Sequence, residues 1–410
     1  MAAYAPARYA DFHALHPLPA SVLNRGEDDL PKTLELGGAV RAMVSSQAWK
    51  RAIRMRLEED LDEHAARTRM LPLRVADALR EAGWPTDLAA FAGAQIVRSA
   101  TREGLKTEED RGITSVTLYL PRTVLDDLTD LCAEHRPQLE EALAKEKAER
   151  AKEAEKAKEA QAQTKGTRKN QKKEKPQAVL PTPTVAALIR RRTATINLFG
   201  RMLAEVPDAQ VDGAVQMAHA FSVHQSGQQP DYFTAVEDWS LPHEAGSAHL
   251  QTSFFTTGLL YRYATVNLTE LTRNLNGDHD QALHLLELFA EAFIDVMPGA
   301  KKTSTAPHTY PSLVHYAVRD RRPVSFAAAF EQPVKKAPGG GYIAPAIQAL
   351  SQHAGALNRL LGTRRLIGSG YATAHDTPVD HLGTPHASFD DLTDALTQTA
   401  AQPAPARAAA

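Results

Sequence analysis

The sequence has few of the residues that mark secreted or membrane proteins. It contains one cysteine, Cys132, which excludes internal disulfides and metal sites built from cysteine clusters. No apolar run reaches the length of about 18 residues that a transmembrane helix needs, and the N-terminus lacks the apolar core of a signal peptide. We therefore expect a soluble protein of the cytoplasm that has no membrane partner.

The chain also has little net charge, because 47 Lys and Arg residues face 49 Asp and Glu residues. This balance excludes a uniformly basic protein of the histone type. One segment departs from it: residues 145–175 hold twelve basic and six acidic residues. Its first half predicts a solvated helix without an apolar stripe, and its second half predicts a flexible basic linker. That linker is either a solubilising tether or a nucleic-acid contact.

Hydrophobic periodicity predicts an α+β protein. The predicted strands are Tyr9–Leu18, Ile113–Leu120, Thr195–Leu203, Gly258–Leu268 and Leu313–Val318. The predicted helices are Ser45 to about Arg67, segments continuing to Arg98, Thr123 to beyond Glu140, Gln281–Val296 and Ala346–Leu361. This order suggests a ferredoxin-like core with a helical insertion after its first helix.

The start of the first helix carries a candidate phosphate-binding surface. Trp49, Ala52, Ile53 and Leu57 form an apolar stripe, and the adjacent arc holds Gln47, Lys50, Arg51 and Arg54. Ser45 or Ser46 is a natural N-cap, and the free amides of a first helical turn attract anions. The alternative is an ordinary surface helix whose cations pair with Glu58, Glu59 and Asp60.

A long hydrophilic segment between His224 and Ser253 includes Tyr232, Phe233 and Trp239. Aromatic side chains on such a loop either stack on nucleotide bases or attach the loop to its own core. The sixteen histidines lack a ligand spacing with an acidic partner, and the sequence has no P-loop, dinucleotide fingerprint or nucleophile elbow. We therefore expect no metal ion and no cofactor.

Several ordered motifs together resemble the CasC-type backbone subunit of type I-E CRISPR Cascade, a member of the RAMP superfamily. Before the linker they are Ser21-Val22-Leu23-Asn24-Arg25, Gly37-Gly38 and Ser45-Ser46-Gln47-x-x-Lys50-Arg51-Ala52-x-Arg54. After the linker they include Gly200-Arg201-Met202, Val211-Asp212-Gly213-Ala214, Phe233-Thr234-Ala235-Val236, Tyr261-Arg262-Tyr263-Ala264 and Pro298-Gly299-Ala300-Lys301. The set spans roughly residues 20–350, and no single motif would be specific enough alone.

The resemblance implies an RRM-like palm with a helical insertion and a projecting thumb loop. The palm is expected over residues 1–66 and 176–400 with its thumb at 225–253, the insertion over 67–175, and a disordered tail over 401–410. Copies of such a subunit polymerise along a CRISPR guide RNA and displace bases at intervals, and the complex pairs the guide with target DNA. The implied partners are guide RNA, target DNA, other copies of the chain and other Cascade subunits, and the subunit is not an enzyme.

The resemblance also implies which residues bind nucleic acid. The implied RNA-binding residues are Asn24, Arg25, Ser45, Ser46, Gln47, Lys50, Arg51, Arg54, Arg201, Met202, Tyr232, Phe233, Arg262, Lys301 and Lys302. The implied DNA-binding residues, assigned by region only, are Lys165, Arg168, Lys169, Lys172 and Lys173. An alternative is a metal-dependent, RNA-cleaving backbone subunit as in type III effector complexes, with Asp28 and Asp29 as its catalytic carboxylates.

Overall fold

The computed structural model describes residues 8–108, 110–162, 178–236, 247–375 and 379–402. The five basic residues predicted to contact DNA lie outside these ranges, as do Trp239 and most of the predicted tail. The chain divides into two compact units. The palm unit comprises Met1–Leu61, Asn197–Phe199 and Gly213–Ala410, and the helical unit comprises Asp62–Ile196 and Gly200–Asp212. The helical unit thus includes residues 62–66, 178–196 and 200–212, which were expected in the palm.

A ten-stranded, mostly antiparallel sheet forms the centre of the palm unit. Its strands are β1 (Arg8–Ser21), β2 (Thr33–Leu36), β3 (Ala39–Val44), β8 (Val215–Met217), β9 (Ala220–Ser222), β10 (Gln229–Val236), β11 (Ser247–Asn267), β12 (Leu313–Asp320), β13 (Leu366–Thr373) and β14 (Thr384–Pro385). The four strands β4 (Ala65–Thr68), β5 (Thr107–Glu108), β6 (Ile113–Thr114) and β7 (Leu118–Pro121) belong to the helical unit.

The centre of this sheet has the strand order of a ferredoxin-like fold. In the order β12-β1-β11-β9, β1 lies between β12 and β11, and each of the three neighbouring pairs is antiparallel. Numbered along the chain, these four core strands have the order 4-1-3-2. β1 is central because residues 10–16 are buried and leave no polar face for solvent. The predicted mixed fold with helices on an antiparallel core is confirmed.

Helices cover both faces of the palm sheet. They are α1 (Ser46–Asp60), α7 (Ala194–Phe199, shared between the units), α8 (Leu268–Asn274), α9 (His279–Asp295), α10 (Lys302–Thr305), α11 (Ile343–Leu361) and α12 (Phe389–Ala401). On one face, Phe289 and Phe293 of α9 pack on Phe12, with ring centroids 5.4 and 5.5 Å away. Burying each of these rings contributes about 2 kcal/mol. On the other face, Ala346, Leu350 and Ala354 of α11 belong to a core that includes Leu15 and Tyr261.

Titratable side chains are buried within this sheet. Asp11 accepts hydrogen bonds from the Tyr263 hydroxyl (3.0 Å) and the Val324 amide (2.9 Å), and burial raises its pKa to about 6. Burial lowers the pKa of His16 and of His315 to about 3, and it holds the pKa of His13 well below its ordinary value. All three imidazoles are therefore neutral in the folded protein at pH 7.

The helical unit has its own hydrophobic core. Its helices are α2 (Leu71–Glu81), α3 (Thr86–Ser99), α4 (Val124–Glu134), α5 (Arg136–Ala162) and α6 (Thr182–Arg190). Leu139 in the first turns of α5 is buried against this core. Ala142 and Leu143 are partly buried against the same core. Lys145 and Arg150 are exposed and pair with Glu141 and Glu146, four residues away, as expected for the predicted solvated helix.

Three predicted elements differ in the structure. Ile113–Leu120 is not one strand, because Ile113–Thr114 pairs with β5 and Leu118–Pro121 pairs with β4. Thr195–Leu203 is not a strand, because α7 ends at Phe199 and Gly200 follows with a φ of 79°. Its N-cap Thr193 accepts a hydrogen bond from the Ile196 amide, so capping and burial outweigh the β-branched composition. The first helix ends at Asp60 rather than near Arg67, since residues 65–68 pair with β7. In the part of the chain that the structure describes, no helix is long and apolar enough to cross a membrane.

Candidate nucleic-acid interface

The start of α1 is held by hydrogen bonds from three elements of the palm unit. The Ser45 hydroxyl caps the helix by accepting from the Ala48 amide at 3.3 Å. The Ser45 amide donates to Asn24 Oδ1 at 3.0 Å, and the Ser46 amide donates to His219 Nδ1 at 2.9 Å. Protein side chains thus accept hydrogen bonds from the amides of Ser45, Ser46 and Ala48. The expectation that the amides of this turn are free for a ligand is therefore wrong for these three groups. Asn24 and His219 position the turn, a role that no spacing rule would have predicted for His219.

The predicted faces of α1 are present. Trp49, Ile53 and Leu57 are fully buried, which confirms the apolar stripe, whereas Gln47 and Arg51 are exposed. The half-buried Lys50 donates through Nζ to the carbonyl of Val215 at 3.3 Å.

The alternative interpretation, a surface helix whose cations pair with acidic residues of the same helix, is correct for one cation of the arc. Arg54 pairs with Glu58 at 2.7 Å, and only 6 % of the Glu58 side chain is exposed. Arg56, which is not in the predicted set, pairs with Asp60 at 2.8 Å. Arg51 is therefore the most accessible cation of this arc.

The loop after β1 lies beside the helix start. Arg25 pairs with Asp29 at 2.9 Å, both side chains being exposed, and the Asp28 carboxylate accepts from the Leu30 amide at 3.1 Å. Gln228 at the base of β10 donates to the carbonyl of Pro31 at 2.9 Å. An open depression of about 430 Å³ lies between this loop and Gln228. Asp28 and Asp29 thus have partners that shape the loop, and the described residues contain no group of three His, Cys, Asp or Glu side chains suited to a metal ion.

β10 and the first part of β11 form a hairpin, which we call the arm (residues 229–255 apart from 237–246). Its register runs from Gln229 opposite Phe255 to Val236 opposite Ser247. Residues 229–235 are all exposed, including Tyr232 (63 %) and Phe233 (42 %), so these rings do not attach the arm to the core. The rest of β11 pairs with β1, β8 and β9. The arm is therefore a continuation of a core strand rather than a loop.

Arg262 lies in the core and not on the surface, which corrects its prediction as an RNA contact. Its side chain is fully buried, donates to His16 Nδ1 (2.9 Å) and to the carbonyl of Phe293 (2.5 Å), and stacks over Trp49 at 3.8 Å. Burial lowers its pKa to about 9, so it stays charged at pH 7. Residues 259–266 of β11 are all buried, so this part of the strand presents no face to solvent.

Arg201 requires the same correction. Arg201 is 3 % exposed. Its guanidinium donates to five backbone carbonyls of the helical unit, those of Tyr119, Ile189, Arg190, Arg191 and Ala209. Three of these carbonyls terminate α6, so Arg201 acts as the C-terminal cap of that helix. The adjacent Met202 is 90 % exposed. Of this predicted pair, Met202 alone is accessible.

Lys301 and Lys302 are exposed on a tight turn that contains α10. Lys301 and Ala306 on either side of α10 adopt left-handed conformations, with φ of 47° and 41°. The turn is anchored to β1, because the Thr309 hydroxyl donates to the carbonyl of Pro17 at 2.7 Å. The turn, the loop after β1 and the base of the arm thus all adjoin the C-terminal end of β1.

Comparison with solved structures defines the class of protein. The fold matches a chain of a "CRISPR RNA-guided surveillance complex, pre-nicking" with a TM-score of 0.82 and 38 % identity, over 96 % of this chain and 100 % of that one. It also matches a chain of a "CRISPR RNA-guided surveillance complex" with a TM-score of 0.72 and 34 % identity, over 95 % and 99 %. No curated protein matches the sequence.

The family follows from the sequence itself. The model of the CT1975-like proteins matches residues 10–395, so the chain belongs to that family. Together with the solved structures, this match confirms the predicted CasC-type subunit.

Proposed function

We propose that this protein is the guide-RNA-binding backbone subunit of a type I-E Cascade complex and that copies of it polymerise along CRISPR RNA. The observation that carries the proposal is the likeness along nearly the whole chain to subunits of RNA-guided surveillance complexes. The placement of exposed polar groups supports it, because Arg25, Gln47, Arg51 and the Lys301–Lys302 turn belong to segments joined to the end of β1 or to the start of α1.

In this proposal, the residues around α1 hold the guide by its phosphates. Arg51 and Lys50 supply positive charge, and Ser46 and Gln47 supply short polar groups beside it. Phosphate contacts position a strand but do not read its bases, and a backbone subunit has to accept guides of any sequence. Arg25 and the two lysines of the α10 turn extend the positive surface.

The arm acts on bases rather than on phosphates. Between Arg201 and Arg262 the sequence contains no Lys or Arg, while Asp231, Glu237, Asp238 and Glu244 lie within or beside the arm. An acidic ribbon is repelled by a phosphate backbone, whereas exposed rings such as Tyr232 and Phe233 stack on bases. We infer that the arm inserts its aromatic pair between bases and bridges to the neighbouring copy.

The remaining parts of the proposal concern partners and compartment. The basic linker, through Lys165, Arg168, Lys169, Lys172 and Lys173, follows the backbone of target DNA. Other Cascade subunits complete the particle in the cytoplasm. The subunit itself performs no reaction, and Asp28 and Asp29 shape the loop that carries Arg25.

Co-purifying RNA tests this function. The protein is expressed with a CRISPR array and its partner subunits, and the bound RNA is sized and sequenced. We expect one length of repeat-derived RNA. RNA of random length and origin would reduce the protein to a nonspecific RNA binder. Cleavage of complementary RNA at regular spacing in the presence of Mg²⁺, abolished by Asp28→Asn or Asp29→Asn, would replace the proposal with the type III alternative.

A further inference from the structure

One end of the palm unit carries an arginine patch, which we define as Arg321, Arg322, Arg359, Arg364 and Arg365, all of them exposed. Among these arginines, Leu360 is 81 % exposed and Leu361 is 49 % exposed. Leu366, just after the patch, pairs with Arg319, and Arg319 also donates to Asn358 at 3.4 Å. Because Arg319 is opposite Tyr9, the patch lies at the end of the sheet where β1 begins.

A second charged surface, the carboxylate patch, consists of Asp60, Glu291, Asp295 and Asp390. Arg56 pairs with Asp60 at 2.8 Å and lies 3.7 Å from Asp295, so one guanidinium faces four carboxylates and the patch keeps a net negative charge. Burial raises the pKa of Glu291 and of Asp295, nearby carboxylates add to the rise, and Arg56 opposes it. Tyr310, which is 62 % exposed, stacks on Phe389 beside Asp390 with ring centroids 6.5 Å apart. This patch therefore also combines charge with an exposed apolar group.

The two patches lie at opposite ends of the palm sheet. Arg8, the first residue of β1, donates to the carbonyl of Ala400 at 2.6 Å, so the last turn of α12 lies at the arginine end. α12 begins at Phe389, about 18 Å away along its axis. Tyr310 follows Thr309, which is bonded to Pro17 near the other end of β1. The carboxylate patch is thus at the end from which the arm continues.

We propose that the arginine patch of one copy binds the carboxylate patch of the next. The inference rests on the proposed function, in which copies assemble along a guide, and it names the protein surfaces that meet. Different patches at the two ends of one unit make a heterologous contact, which continues into a filament instead of closing into a dimer. Arginines pair with carboxylates, and Leu360 and Leu361 pack on Tyr310.

A nucleic acid is a poorer occupant of the arginine patch. The candidate guide-binding residues adjoin the opposite end of β1, and a target strand paired with the guide would lie there too. The two exposed leucines that lie between Arg359 and Arg364 in the sequence favour a protein surface, since exposed apolar groups beside charged ones are typical of protein interfaces.

Charge reversal tests this contact. One variant carries Arg364→Glu with Arg365→Glu, a second carries Glu291→Lys with Asp295→Lys, and a third carries all four changes. We expect each of the first two to need at least about tenfold more protein to assemble on a long guide RNA, because like charges then face each other. The third variant is expected to regain assembly, since the charges are exchanged rather than lost. Sedimentation measures the particle size.

The control is Arg74→Glu with Arg80→Glu on α2, which makes the same charge change in the helical unit and is expected to assemble normally. A second measurement, the binding of single copies to an RNA long enough for one subunit, separates the proposed guide-RNA function from the proposed contact between the two patches. If wild-type protein fails to bind that RNA, the proposed function fails. If the first two variants bind it normally and assemble like wild type, or if the four-residue variant assembles no better than they do, the contact between patches is wrong. A specific loss of target-DNA affinity without loss of assembly would assign the arginine patch to nucleic acid instead.

Discussion

Arg51 and Arg262 carry the same guanidinium group, but the structure gives them opposite surroundings. Arg51 is exposed on α1, whereas Arg262 is fully buried and bonded to His16 and Phe293. A charged group without water has to satisfy its hydrogen bonds inside the protein, so its removal leaves partners unpaired. The two residues therefore make a matched pair for separating RNA contact from fold stability.

We expect Arg51→Met to weaken guide RNA binding without changing the free energy of unfolding. One lost phosphate contact lowers the slope of log affinity against log salt by about 0.7 on a single strand. Affinity measured at several salt concentrations checks this value. Arg273→Met, an exposed arginine on α8, is the control and keeps the wild-type slope. An unchanged slope for Arg51→Met would remove this residue from the interface.

We expect Arg262→Met to lower the free energy of unfolding by about 2–4 kcal/mol, because His16 and the Phe293 carbonyl each lose a buried partner. Chemical denaturation measures the loss. The folded fraction of this variant should keep the wild-type salt slope for guide RNA. A reduced slope with unchanged stability would restore Arg262 as an RNA contact.

The buried histidines make stability fall at acid pH. Unfolded chains bind protons at His13, His16 and His315 below about pH 6.5, whereas the folded protein holds His16 and His315 neutral to about pH 3. Asp11 acts in the opposite direction, since its folded pKa of about 6 lies above its ordinary value. Between about pH 6 and pH 4, the three histidines each bind a proton on unfolding and Asp11 releases one, so these four groups take up two protons net. As the pH falls through this range, we therefore expect the free energy of unfolding to decrease by about 3 kcal/mol per pH unit.

Denaturation midpoints across pH 4 to 8 check this sign and slope. His13→Phe removes one of the buried imidazoles, so its slope should be smaller by one proton. His279→Gln, which removes an exposed histidine at the start of α9, should leave the slope unchanged. Stability that rises as the pH falls through this range would contradict the buried neutral state.

At the scale of elements, the sequence predicted those parts whose periodicity is local. The buried stripe of α1, the helix α9 and the strands β1 and β12 were all recovered. The apolar spacing of α1 and α9 reflects one packing surface, whereas β1 and β12 are continuous buried runs. The arm was expected as a loop, since a ribbon exposed on both faces has no alternation to detect. α7 was mistaken for a strand because its helix depends on the Thr193 cap and Gly200 rather than on composition.

The candidate site shows the same limit. The structure leaves Gln47, Arg51, Lys301 and Lys302 exposed, as a ligand contact requires. The burial of Arg262, in contrast, depends on contacts between distant segments. Arg262 meets a residue 246 positions away, His16, and nothing near it in the sequence encodes that pairing.

Shortening the arm tests its role as an element. The register suggests joining Pro230 to Phe254 through an Asn-Gly turn, which removes both paired strands together and leaves none unpaired. Because residues 231–235, 251 and 252 are exposed, we expect an unchanged free energy of unfolding. Assembly on guide RNA should be lost, as sedimentation would show. Thr234→Ser is the control within the arm, and full-size particles from the shortened protein would place the bridge elsewhere.

For the whole molecule, charge is distributed by segment. The basic linker stands in an otherwise acidic chain, and five of its six basic residues are expected to act on target DNA. Replacing Lys165, Arg168, Lys169, Lys172 and Lys173 by Gln should leave guide assembly intact and lower target-DNA affinity with a shallower salt dependence. Lys145→Gln with Lys152→Gln on α5 is the control. Equal DNA affinity at low and moderate salt would make the linker a solvated tether.

The 21 residues of β11 run without interruption from the core into the arm. Residues 247–255 account for about 30 Å of that length at the usual rise of a strand. At their base, the pairing of β11 with β1 shifts register between Leu18 and Ser21. The direction of the arm is consequently set by the twist of the palm sheet and by this irregularity. In an assembly built from such arms, the angle from one copy to the next is the same at every step, so the pitch of the particle is a property of one strand and does not depend on the length or sequence of the RNA.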